Sequence, residues 1–163
     1  MNQIVLPQPH EISEREKEDA MGAYLMMFAS WGLGFPLPLL NLIASLIYFL
    51  INRKTSKFVA FHSLQSLLFH IPISVLNVAP IVWLVVILVT DLSFRAGFFV
   101  LLLFALLANI LFVVFSLLAL MRARKGLFYY LPFFGRVSFG CIYKSGAEAA
   151  AKAAPVNLPP EGS

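Results

Sequence analysis

A stripe of polar residues lies along one predicted helix near the middle of a mostly apolar chain. At 100° per residue these residues share a sector of about 140°: His62, Gln65, Ser66, His70 and Asn77. Lipid offers polar side chains no hydrogen bonds, so at membrane depth such residues face a protein interior or a watery cavity. We therefore expect the stripe to face other helices or a partner, and it is the best candidate for a functional site.

Two neighbouring apolar segments carry shorter polar stripes. Asn41, Ser45 and Tyr48 are spaced i, i+4, i+7 on the preceding helix, and Asn109 and Ser116 are spaced i, i+7 on the last one. The plain interpretation is hydrogen bonding between helices, at about 0.6 kcal/mol per contact. The alternatives are a polar conduit or groove for a peptide, proton or lipid headgroup, and docking on a partner subunit.

The two histidines of the first stripe could in principle bind a metal or relay protons. His62 and His70 are separated by about 12 Å along a helix, too far to share one ion, and no nearby Cys, Asp or Glu completes a tetrahedral set. The sequence also lacks a phosphate-binding glycine loop, a nucleophile elbow and paired core acids. We predict a protein that is not an enzyme, with no catalytic residues, metal site or cofactor.

Composition places these stripes in a membrane. The 163 residues are 60% hydrophobic and 12% charged, with a mean hydropathy of +0.86, whereas soluble domains are about 45–50% apolar and about 25% charged. The net charge of +4 comes from basic residues at the ends of apolar segments, which fits anionic lipid headgroups and does not indicate nucleic acid. The predicted fold is an all-α integral membrane protein.

The chain divides into a polar lead-in at 1–19, a membrane domain at 20–144, and a short alanine-rich helix with a disordered tail at 145–163. Ser13 and Glu16 have the spacing of a capping box, which predicts a helix start near Ser13. Within the membrane domain the predicted segments are a broken helix at 20–51, apolar segments at 58–90 and 96–121, and an aromatic interfacial segment at 127–143. This predicts three to four transmembrane helices.

Two glycines and two prolines between Gly32 and Pro38 break the first apolar region. Either 20–51 is a helical hairpin with both ends on one side, or it is a single kinked span. The hairpin places the N-terminus inside the cell and the kinked span places it outside. We favour the hairpin, because the broken centre is typical of a turn.

Cations concentrate in two short loops, which sets the expected topology. The residues predicted to anchor topology and lipid are Arg53, Lys54, Lys57, Arg122, Arg124 and Lys125. The turn at 91–95 holds one cation. By the positive-inside rule, the 52–57 loop and the C-terminus should be cytoplasmic and the 91–95 turn outside.

Two motifs carry a family resemblance. The chain reads Lys57-Phe58-Val59-Ala60-Phe61-His62-Ser63-Leu64-Gln65-Ser66-Leu67 after the basic loop, and Ala123-Arg124-Lys125-Gly126-Leu127-Phe128-Tyr129-Tyr130-Leu131-Pro132 after the last span. Together they resemble a small bacterial membrane-protein family related to Tic-type chloroplast import proteins, which includes the magnetosome proteins MamF and MmsF. In that family F-x-x-F-H-x-x-Q-A-L and K-G-x-x-Y-x-Y-P recur, and Ser66 here replaces the usual Ala.

The resemblance implies a bacterial cytoplasmic membrane and an assembly, membrane-complex or import-related role. Our leading hypothesis is a non-enzymatic subunit or assembly factor of a larger membrane complex. The first alternative is a transport or import channel-like module with a polar path along 58–77, and the second is lipid or membrane organisation. Expected partners are membrane lipids, other membrane subunits and possible further copies of the chain, but no nucleic acid.

Overall fold

The computed structural model describes residues 6–29, 38–90 and 93–144. The helices are α1 (Glu14–Leu25, followed by a 3-10 turn at Met26–Phe28), α2 (Pro38–Asn52), α3 (Lys57–Thr90), α4 (Ala96–Arg124) and α5 (Phe134–Phe139, followed by a π-helical turn at Gly140–Lys144). Every regular element in these ranges is helical, which confirms the all-α prediction. The predicted alanine-rich helix and tail at 145–163 lie outside the described residues.

Two of the helices are long and apolar enough to cross a membrane. They are α3, with 34 residues, and α4, with 29 residues. Pro72 and Pro80 lie inside α3 without ending it, as membrane helices allow when neighbouring groups satisfy the freed backbone. The prediction of three to four spans goes beyond these two helices and stays a prediction.

Local capping fixes the start of α1 and the end of α4. At the start of α1, the Glu16 amide donates to Ser13 Oγ (3.3 Å) and the Ser13 amide donates to the Glu16 carboxylate (2.9 Å), which confirms the capping box. At the end of α4, Gly126 has a φ of 71°. The Leu127 amide there donates to the Arg122 carbonyl (3.0 Å) and the Gly126 amide to the Ala123 carbonyl (2.9 Å). This Schellman motif stops α4 and turns the chain back toward α3.

The short helices pack around the beginning of α3 and the end of α4. Helix α1 lies against both, burying Ala20, Ala23 and Tyr24. Helix α2 packs on α3, and its Tyr48 hydroxyl donates to the Asp19 carbonyl of α1 (2.8 Å). Tyr48, in the last part of α2, thus lies beside α1. The choice between a hairpin and a single kinked span at 20–51 stays a prediction. The predicted break at 32–38 lies mostly outside the described residues.

The long helix α3 has two halves with different surroundings. In the first half, 57–70, most side chains are buried, whereas in the second half, 71–90, most are exposed. We call these the buried half and the exposed half. The buried half carries most of the polar stripe that the sequence singles out.

Candidate functional site: the buried polar stripe of α3

Gln65 joins three parts of the chain. Its amide nitrogen Nε2 donates to the Tyr24 hydroxyl (2.7 Å) and to the Tyr129 carbonyl (2.9 Å). Its oxygen Oε1 accepts from the Leu131 amide (3.2 Å). Gln65 is 0% exposed, so these bonds replace all contact with solvent. They fasten α1 and the segment after α4 to the buried half of α3.

Tyr24 and His62 continue this network. The Tyr24 hydroxyl lies 2.9 Å from His62 Nδ1. Because the hydroxyl oxygen accepts from Gln65, its proton is available to donate to Nδ1, so His62 is neutral with its proton on Nε2. Tyr24 is fully buried, and burial disfavours a charged phenolate, so its hydroxyl stays protonated. The network is therefore an uncharged hydrogen-bonding chain.

The other nitrogen of His62 has no such partner. Nε2 is buried near the Leu127 backbone without a well-formed hydrogen bond to any described residue. Aromatic rings enclose the imidazole, with Phe58 at 4.6 Å and Phe61 at 5.0 Å between ring centroids. These contacts hold the imidazole in an apolar setting, where a neutral ring is favoured.

Ser66 and His70 extend the stripe one turn at a time. Ser66 Oγ donates to the Ala23 carbonyl of α1 (2.8 Å). His70 Nδ1 lies 2.8 Å from the Ser66 carbonyl, and since a carbonyl only accepts, His70 carries its proton on Nδ1. Thus Ser66 binds a neighbouring helix, while the Nδ1 bond of His70 stays within α3.

Asn77 lies apart from this group, in the exposed half, and pairs with the third stripe. Its Nδ2 donates to Asn109 Oδ1 (3.1 Å), and Asn109 Nδ2 donates back to Asn77 Oδ1 (2.6 Å). Asn109 Nδ2 also donates to the Ala105 carbonyl (2.7 Å). The reciprocal amide pair joins α3 to α4. Ser116, farther along α4, is buried.

The stripe on α2 faces the protein in part. Tyr48 reaches α1 through its hydroxyl, as described above, and comes so close to Gly22 that a larger residue there would collide with it. Ser45 is buried at 2% exposure, and Asn41 is half-buried in the first part of the helix. Tyr48 thus joins this stripe to α1.

The cations predicted as anchors gather at one end of the bundle, where α3 begins and α4 ends. Arg124 Nη1 lies 3.3 Å from a Glu14 oxygen and 3.4 Å from a Glu18 oxygen. Lys57 Nζ lies 5.7 Å from the centre of the Tyr143 ring. The remaining four are exposed: Arg53, Lys54, Arg122 and Lys125. The start of α1 thus lies at the same end as both basic loops.

The arrangement of the stripe binds segments of the chain to one another. Within the described residues, no three His, Cys, Asp or Glu side chains lie close enough to hold a metal ion. Gln65 contributes both amide nitrogen and oxygen, Tyr24 both donates and accepts, and Ser66 donates to backbone. Such neutral, enclosed groups rigidify a fold and specify which segments meet.

The sequence profile of the magnetosome magnetite crystal formation protein family, MamF/MmsF, matches residues 16–138. The chain belongs to this family. The predicted resemblance to MamF and MmsF is therefore confirmed, whereas the relation to Tic-type import proteins stays a prediction. Searches of curated proteins and of solved structures found no match.

The family match contains every residue of the Gln65 network. Sequence reasoning identified His62, Gln65 and Ser66 but missed Tyr24 and the backbone groups of Tyr129 and Leu131. Tyr24 carried a weak signal, since it follows Ala20 at i+4 on the same face of α1. The backbone partners carried none, because a carbonyl or amide is present at nearly every residue.

Proposed function

We propose that this chain is a non-enzymatic subunit or assembly factor of a membrane complex that supports magnetite crystal formation. The family match carries the proposal, since the family is described by that process. Two long apolar helices support a place in a membrane. The proposed location is a bacterial cytoplasmic membrane or a compartment bounded by such a membrane.

The distribution of polar and apolar surface supports a binding role. The polar stripe of α3 forms hydrogen bonds within the chain, and its partners are Tyr24, Ala23, Tyr129 and Leu131. Large apolar side chains face outward on α2, α3 and α4, as at Ile47 (51% exposed). These outer faces suit lipid, other membrane subunits or further copies of the chain.

The transport alternative receives less support from this geometry. A polar path along 58–77 needs side chains that line open space, but His62, Gln65 and Ser66 are each at most 2% exposed. A conduit within one chain would require the C-terminal segment to leave Gln65. The subunit hypothesis needs no such rearrangement.

The proposed topology follows the positive-inside rule. Both basic loops, the start of α1 and the segment 127–144 lie at one end of the bundle, and we propose that this end is cytoplasmic. Cysteine labelling of intact cells tests it. Reagent should reach a cysteine at Ser93 but not at Ser56, and the reverse pattern would invert the orientation.

Deletion and complementation in a magnetosome-forming cell test the function itself. We expect the deletion to change the size or number of magnetite crystals seen by electron microscopy, with the wild-type chain restoring them. Native gels of mild-detergent extracts should show the chain in a species larger than a monomer. Unchanged crystals, together with a bare monomer in native membranes, would overturn the proposal.

A further inference from the structure

An apolar groove lies between α3, α4 and the residues around the start of α5. It has a volume of about 500 Å³, with Phe69 and Leu76 of α3 on one side, Phe104 and Phe115 of α4 on the other, and Pro132 and Phe134 at one end. All the residues that line it are apolar. A groove of this kind accepts a hydrocarbon ligand.

On α3, the groove begins where the large apolar side chains become exposed. On α3 the exposed large apolar residues start at Ile71, and the exposed half from 71 to 90 rises about 29 Å. That length matches a hydrocarbon core of about 30 Å. The groove, from Phe69 to Leu76, therefore lies at the end of this exposed stretch of α3 that is nearer to Arg136.

A cationic cavity adjoins the groove at this end. The two share Pro132, and the second cavity, of about 700 Å³, is lined also by Tyr130, Phe133 and Arg136. Arg136 is exposed and forms no ion pair with any described residue. A guanidinium group binds phosphate oxygens with two parallel hydrogen bonds. The mouth of the groove thus carries an unpaired charge of the sign that complements an anionic headgroup.

The backbone at the mouth of the groove is strained at Phe133. Phe133 has a φ of 65° and a ψ of −57°, and the Phe134 amide donates to the Pro132 carbonyl (2.8 Å). This is a tight γ-turn that residues other than glycine rarely adopt. It leaves the Phe133 ring 73% exposed beside the cavity, while the next residue, Phe134, turns into the groove. Strain of this kind gathers at ligand-binding sites.

We propose that this groove binds one acyl chain of an anionic phospholipid, whose phosphate pairs with Arg136. The groove extends about 10 Å along α3, enough for the upper part of one acyl chain. The charge of Arg136 at the mouth favours an anionic headgroup over an apolar helix as the occupant. The inference requires the chain to lie in a membrane but does not rest on its role in a complex.

Lipid retention tests this site. The purified chain is freed of bound lipid in mild detergent and incubated with either phosphatidylglycerol or phosphatidylcholine. Native mass spectrometry then measures how much lipid each sample retains. We expect one retained phosphatidylglycerol per chain and weaker retention of phosphatidylcholine. Arg136→Gln should lower phosphatidylglycerol retention about tenfold, as loss of a charge-assisted contact predicts. It should lower phosphatidylcholine retention less, because the choline cation already offsets the charge of that lipid's phosphate.

Two further variants separate the site from general surface charge. Arg122→Gln removes an exposed cation at the same end of the bundle but outside the groove, and it should retain phosphatidylglycerol like the wild type. Ala108→Leu narrows the groove and should weaken retention of both lipids, with circular dichroism checking the fold. Equal losses in the two arginine variants, unchanged retention in Arg136→Gln, or a lipid-free dimer would overturn the proposal.

Discussion

The buried and exposed halves of α3 belong to one continuous helix, but different surroundings stabilise them. In the buried half, side chains such as Phe61 and Gln65 are 0% exposed and contact other parts of the chain. In the exposed half, Leu88 and Val89 are 68% and 76% exposed. The buried half therefore owes its position to packing and hydrogen bonds inside the protein, whereas the exposed half depends on lipid to cover its apolar surface.

Polar residues therefore have different structural roles in the buried and exposed halves of α3. Around Gln65 the polar groups fasten an N-terminal helix and a C-terminal segment, so several parts of the chain depend on one side chain. In the exposed half, Asn77 links only α3 and α4 among the described contacts. Damage to the first group should spread through the bundle, and damage to the second should remain local.

The same substitution in the two halves should give the largest contrast. Leu67→Ala, at a residue 9% exposed, should lower the free energy of unfolding by about 2–5 kcal/mol, because it leaves a cavity. Leu88→Ala, at 68% exposure, should cost less than about 0.5 kcal/mol. Denaturant titration in mild detergent, followed by circular dichroism, measures both. Equal costs would remove the distinction between the halves.

Loss of the Gln65 amide should be the next largest effect. Gln65→Leu leaves the buried Leu131 amide and the half-buried Tyr129 carbonyl without this partner, at an expected cost of about 3 kcal/mol. Ser63→Ala is the matched control, since the buried Ser63 hydroxyl has no hydrogen-bond partner among the described residues. The same titration should find it close to neutral. If Ser63→Ala lowered the free energy of unfolding as much as Gln65→Leu does, the stabilisation would come from buried polar groups in general and not from the hydrogen bonds of Gln65.

Replacing a glycine of the C-terminal segment by alanine tests how closely this segment packs on α3. A Cβ on Gly135 would lie 2.7 Å from the Tyr130 Cα and 2.9 Å from Gln65 Oε1, so Gly135→Ala should cost about 1–3 kcal/mol through overpacking. Gly140→Ala meets nothing within 4 Å and serves as the control. The rate of tryptic cleavage after Arg136 reports release of the segment. It should rise in the first variant only.

The asparagine pair should give a smaller, local effect. A double-mutant cycle with Asn77→Ala and Asn109→Ala should show a coupling of about 0.6–1.7 kcal/mol. The measurement is unfolding in lipid bicelles, and digestion of the C-terminal segment should stay at the wild-type rate in all three variants. Faster digestion would mean that this pair also supports the buried half.

The smallest expected effect lies at the start of α1, outside both halves. Hydrogen bonds from the Ser13 side chain and backbone hold the pKa of Glu16 below its ordinary value of 4.5. The stabilisation is therefore present above that value and is lost as pH falls through the lowered pKa of the folded state. Ser13→Ala should cost about 1 kcal/mol at neutral pH.

Titration of stability with pH checks this assignment. The wild type should lose stability on acidification through this range more steeply than Ser13→Ala. Because Lys17 and Arg124 hold the pKa of Glu14 down in the same direction, both proteins should keep some acid sensitivity. Identical slopes in the two proteins would show that the capping box does not set the pKa of Glu16.

The sequence by itself determined the helical class, the capping box at Ser13, the apolar lengths of α3 and α4, and the family. These features depend on local spacing and on hydropathy, which can be counted along the chain. The spacing of His62, Gln65 and Ser66 likewise predicted that they share one face of a helix. The continuity of α3 through Pro72 was harder to predict, because neighbouring helices decide whether a proline is tolerated.

Only the tertiary structure decided what those polar residues meet. Tyr24 lies 41 positions from Gln65 and the Leu131 amide lies 66 positions away, so no local pattern connects them. It also decided that Tyr48 of α2 meets the backbone of α1, and that Arg136 lies beside an apolar groove. Such contacts depend on how helices pack in three dimensions, since two side chains on different helices meet only after both have found their neighbours.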